Sequence, residues 1–123
     1  MRTTRNLRFV FALLAAGIVA AAAHAHHGWS EYDEKTTLTL TGTIREAGYE
    51  SPHGFVRLEV PGDAAKTWHV VLAPPSRMSS RGLEREALKP GVTATVVGYP
   101  HKKKAEELRA ERITIDGKTT ELR

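Results

Sequence analysis

The chain has 123 residues, with 18 Lys and Arg against 14 Asp and Glu, six His, two Met and no Cys. That length supports one modest hydrophobic core and leaves no room for two sizeable ones. The lack of cysteine excludes disulfides, thiolate nucleophiles and Cys-based structural zinc sites.

The first segment reads as a leader. Arg2, Arg5 and Arg8 precede an apolar run from Phe9 to Ala23, and Ala23-His24-Ala25 offers small residues at the positions a signal peptidase reads. A leader over residues 1–25, cut after Ala25, is therefore expected, making the working protein periplasmic or secreted. Its apolar run is about fifteen residues, short of the roughly twenty a membrane-spanning helix needs, and no later stretch is apolar enough to span. Residues 1–25 hold three of the 18 basic residues and none of the 14 acidic ones, leaving 15 against 14 in the remainder. The excess charge thus belongs to the leader, and a balanced exported chain argues against nucleic acid as a partner.

Residues 26–35 read as an N-terminal extension and residues 36–123 as a barrel domain. Residues 36–47 alternate Leu38, Leu40 and Ile44 with threonines, the pattern of a half-buried strand with a break at Gly42. Residues 54–60 place Val56, Leu58 and Val60 on one face. Residues 67–72 do the same with Trp68, Val70 and Leu72, and the Pro61-Gly62 turn between them predicts a hairpin. Pro74 and Pro75 stop the alternation, and Leu83, Ala87 and Leu88 within 79–91 sit at helical spacing before Pro90-Gly91. Residues 92–98 and 108–115 are the fourth and fifth strands, and Asp116-Gly117 turns into a short tail.

Five strands with a short helix between the third and fourth predict an all-β, OB-like Greek-key barrel, which closes its sheet and removes exposed edges. In such barrels the loop between the first two strands and the loop between the last two flank the usual ligand face. Here those loops are 48–54 and 99–107, each with one tyrosine and one histidine. Tyr49, Trp68, Tyr99 and His101 are accordingly the candidate ligand-binding residues for a metal-free module taking a small anionic ligand or a periplasmic partner protein. The competing readings are that Trp68 belongs to the core and that Lys102, Lys103 and Lys104 only solubilise a hairpin tip.

The short signatures His26-His27-Gly28-Trp29, Ser51-Pro52-His53-Gly54, Arg81-Gly82, the stretch from Leu88 to Pro100 and Ile113-Thr114-Ile115-Asp116-Gly117-Lys118 carry a resemblance. Together they resemble a family of small secreted bacterial proteins without an established activity. Members more often have Asn-Pro-His-Ala where this chain has Ser51-Pro52-His53-Gly54, and Trp where it has Leu83. The resemblance implies compartment and fold and leaves the ligand open.

Cleavage after Ala25 would leave His26 as the first residue, able to chelate a metal through its α-amine and ring. A second imidazole, from His27 or His53, would complete a nitrogen set of the kind that suits Cu(II). Trp29 and Tyr32 would stand beside that site. The competing reading is a polar tail that only marks the cut. His69 reads as a solvent-face residue, and His101 stands beside three lysines that repel a cation.

No catalytic residue is assigned. There is no nucleophile elbow, no phosphate loop and no hydrolytic constellation, so an enzyme is disfavoured, a copper oxidase or oxygenase built on the N-terminal histidine being the one enzymatic alternative. Met78 is the only methionine after the leader, too few for a thioether Cu(I) site.

Overall fold

The computed structural model describes residues 28–62 and 64–123. The expected leader, together with His26 and His27, lies outside these residues. Among the described residues no helix is long and apolar enough to cross a membrane.

Six strands carry the fold: β1 (Leu38–Gly48), β2 (Phe55–Val60), β3 (Lys66–Val71), β4 (Thr93–Pro100), β5 (Glu107–Ile115) and β6 (Lys118–Glu121). Their order is β3-β2-β1-β4-β5-β6, and a further parallel pairing of β3 with β5, His69 to Val71 against Glu107 to Arg109, closes the first five into a barrel. The OB-like all-β architecture is therefore present, with one strand more than the pattern predicted.

Strand β1 serves both sides of the barrel. Leu38 to Thr43 pair with β4 and Thr43 to Gly48 pair with β2, with a bulge between Ile44 and Glu46. The expected break at Gly42 falls where one pairing gives way to the other, and a Cβ there would collide with the Glu59 carbonyl. The hairpin of β2 and β3 forms in the register Phe55 to Val71 through Val60 to Lys66. Alternation then sends Ile44, Val56, Leu58, Val70, Val96, Leu108 and Ile113 into a core from which water is excluded.

Two expectations are corrected. The short α-helix between β3 and β4 is α1 (Pro75–Ser80), which begins ahead of the expected stretch 79–91, and within that stretch stands one 3-10 turn at Arg85–Ala87. Pro75 at the first helical position starts it, since proline's fixed φ suits that site and its missing N–H is not needed there, and Gly82 at φ +84° follows its end. Met78, Leu83 and Leu88 still reach the core. The tail beyond residue 117 is not a tail but β6, paired with β5 from Arg112–Glu121 to Ile115–Lys118. Asp116 and Gly117, both at positive φ, make the tight Asp-Gly hairpin that permits it.

Candidate functional site

The extension preceding β1 lies along the barrel as a strap. Trp29–Glu31 form one 3-10 turn, and Tyr32 makes an isolated β-bridge with His101. Asp33 N–H donates to the Pro100 carbonyl at 2.8 Å, and Lys102 N–H donates to the Glu31 carbonyl at 2.9 Å. Two of the strap's aromatic side chains are spent on the barrel. The Trp29 ring meets Tyr99 edge-on at 5.9 Å, and Tyr32 meets the His101 ring edge-on at 5.1 Å.

Beneath the strap, β5 breaks its own pattern. Leu108, Arg109 and Ala110 are all buried, whereas a strand with one solvated face would alternate. The pleat sends Leu108 and Ala110 inward and Arg109 outward, beside Tyr99 of β4 and Val71 of β3. Arg109 is nevertheless only 7 % exposed, its guanidinium carbon 4.6 Å from the centre of the Trp29 ring. Arg123 approaches the same ring at 4.3 Å.

Arg109 has an unusual set of partners. Its Nη2 lies 3.2 Å from Nε2 of His53, and among the described residues its Nε has no hydrogen-bond partner. No carboxylate pairs with it among the described residues. Burial, followed by the nearby Arg77 and Arg123 charges, pushes the guanidinium pKa down against the opposing pull of Tyr32. The His53 ring is pushed down as well, first by burial and then by Arg109 and Arg77, which favours its neutral form. A neutral His53 accepts the Arg109 N–H at Nε2. His53 also lines a cavity of about 350 Å³ with Gly48, Glu50, Ser51 and Phe55.

The neighbouring acids are engaged elsewhere. Glu107 Oε2 accepts from the Tyr32 hydroxyl at 3.0 Å and lies 3.7 Å from His101 Nε2. Burial, aided by Glu107, pushes the Tyr32 hydroxyl pKa well up. His101 Nδ1 accepts the backbone N–H groups of Lys103 and Lys104, both at 3.0 Å, which places the neutral ring's proton on Nε2, facing Glu107 and Glu31. Glu34 pairs with Arg123 at 2.6 Å, and Glu111 accepts from the Tyr99 hydroxyl.

Of the residues singled out in the sequence, Tyr99, His101, Trp29 and Tyr32 come together at the strap, with His53 reaching the same surface through Arg109. Tyr49 and Trp68 instead pack against the core. The Tyr49 hydroxyl donates to the Leu83 carbonyl at 2.6 Å, and its ring carries Arg85 at 5.5 Å. His69 stacks against Phe55 on the outer face at 5.2 Å. Among the described residues no group of three His, Asp or Glu is placed to hold a metal ion, and the expected ligands His26 and His27 are not among them. Arg109 and Glu107 escaped the sequence reading, because in an alternating strand both fall on the face that normally meets water. The available hint was Trp29 and Tyr32, two large aromatics in a polar extension that need a surface to cover.

A closed OB-like barrel crossed by a strap that covers a buried arginine is the class of protein these features define. The chain belongs to the Family of unknown function (DUF6152), whose model matches residues 14–109. No curated protein matches it. Among solved structures it is similar to a chain in the crystal structure of a complex of TiaS with an isoleucine tRNA and ATP, at 20% identity and a TM-score of 0.49, covering 75% of this chain and 20% of that one.

Proposed function

We propose that the protein is an exported binding module acting through the surface where the strap crosses β4 and β5. The observation that carries this reading is Arg109, an outward-facing guanidinium buried under Trp29 without an acid partner among the described residues. An arrangement so costly for a lone cation suits a surface completed by a ligand or a partner protein. Export is supported by the basic start, apolar run and Ala23-His24-Ala25 of residues 1–25, the pattern of a leader to the periplasm or the exterior.

A second reading, Cu(II) held by the His26 amine and ring with His27 or His53, draws on the strap, which sets Trp29 against Tyr99 of the barrel three residues after His26. A neutral His53 favours it, and the charges of Arg109 and Arg77 oppose it.

Two experiments test these readings. N-terminal sequencing of protein released from a Gram-negative host should find His26 first, and a chain retaining Met1 in the cytoplasm overturns export. Trp29 fluorescence in a Trp68→Phe background should respond to one member of a panel comprising acetate, phosphate, ethylamine and Cu(II). A flat panel overturns the binding surface. A Cu(II) response lost when one alanine is added before His26 selects the metal reading.

A further inference from the structure

Deepening that reading, we infer that the buried edge of Arg109 is an anion site, taking a small oxyanion of the carboxylate or phosphate kind between its guanidinium and His53. The first argument is charge. A guanidinium removed from water requires a compensating negative charge or a full set of acceptors. Arg109 has neither. The acids two residues to either side of it on β5 are committed to other donors, Glu107 to Tyr32 and Glu111 to Tyr99, while Arg77 and Arg123 add positive potential. An anion is what this neighbourhood lacks.

The second argument is hydrogen bonding. Buried polar atoms in folded proteins nearly all find partners, so the orphaned Nε–H of a residue only 7 % exposed points to an acceptor that the described residues do not supply. Nε–H and one Nη2–H share an edge of the guanidinium, the edge that grips two oxygens of a carboxylate or phosphate side by side. His53 Nε2 occupies part of that donor set at 3.2 Å. It is a single acceptor where an oxyanion brings two.

The third argument is access. His53 stands between Arg109 and the cavity it lines beside Ser51, so an anion entering there meets the imidazole first and the guanidinium behind it. Turning the ring releases Arg109 Nη2 and lets the neutral imidazole offer its Nδ1–H to the anion. Glu50 on the same cavity wall disfavours excess negative charge, so a monocarboxylate is the better fit of the two.

The test uses the purified protein carrying Trp68→Phe, titrated separately with sodium acetate and inorganic phosphate, against sodium chloride at matched ionic strength. The expected result is a saturable change in Trp29 fluorescence and a rise in Tm with acetate, phosphate or both, absent with chloride. Arg109→Gln should abolish the response, Arg109→Lys should weaken it about tenfold because the side-by-side grip is lost, and His53→Gln should weaken it less. If Arg109→Gln does not fold, the wild-type titrations and the His53→Gln comparison decide. No response to either oxyanion, a response equal to that in chloride, or one that survives Arg109→Gln overturns the site. A response to ethylamine or Cu(II) with flat oxyanion titrations overturns this inference and leaves the binding surface standing, whereas a panel flat throughout removes both.

Discussion

Trp29 and Arg109 are far apart in the chain and in contact in the fold, the guanidinium carbon 4.6 Å from the indole centre. One residue belongs to a polar extension and the other to the outer face of a strand. Each explains the burial of the other.

Removing the indole should therefore loosen the strap. Trp29→Ala is expected to cost about 1–2 kcal/mol in urea unfolding, from two cation–π contacts and the covered area. It should also speed amide exchange at Asp33 and Lys102, whose N–H groups hold the strap to the barrel. Trp29→Phe should fall between. Unchanged exchange in the alanine variant would show that backbone bonds alone secure the segment.

Gly98 tests how tightly β4 and β5 are joined at the site. It lies at the bulge between Val97 and Gly98, and a Cβ there would run into the Arg109 carbonyl, which is backbone and cannot yield. Gly98→Ala is expected to lose about 3 kcal/mol in chemical denaturation. Gly62→Ala, where nothing lies within 4 Å, should stay within about 0.5 kcal/mol. Equal effects at the two positions would count against the close approach.

Stability should fall on mild acidification. His53 and His69 both have pKa values below the ordinary histidine range, each mainly through burial. The unfolded chain therefore takes up their protons before the folded chain does. The stability they contribute is present in full above about pH 6.5 and is lost as pH drops through the folded-state values. Tm measured from pH 8 down to pH 5 in chloride buffer should decline, and His53→Gln should flatten part of that decline. A flat wild-type profile would contradict the burial of these rings.

The barrel was legible because its β2–β3 hairpin obeys period two: Val56 and Leu58, then Trp68, Val70 and Leu72, alternate as a half-buried sheet must. The helix was misplaced because Leu83, Ala87 and Leu88 mimic helical spacing, while Pro75, the real helix start, reads in sequence only as the end of a strand. Strand β6 was missed because Lys118 to Glu121 carry almost no apolar signal. Their pairing is imposed by the Asp116-Gly117 turn. The candidate site was legible only in part. Tyr99 and His101 could be assigned to a loop known to flank ligand faces, whereas Arg109 depends on a contact with Trp29 that no local pattern encodes.

The parallel pairing of β3 with β5 closes the barrel, and Arg109 is one of its residues, set against Val71. The two strands are separated by α1, the 3-10 turn and all of β4, so the loop-closure entropy of a long intervening chain must be overcome before they meet. The contact of Arg109 with His53, behind the recess that the β1–β2 connection lines, therefore has no precursor in any local hairpin. It comes into existence only with the completed barrel, so a chain that has reached only its β2–β3 and β5–β6 hairpins has nothing with which to bind.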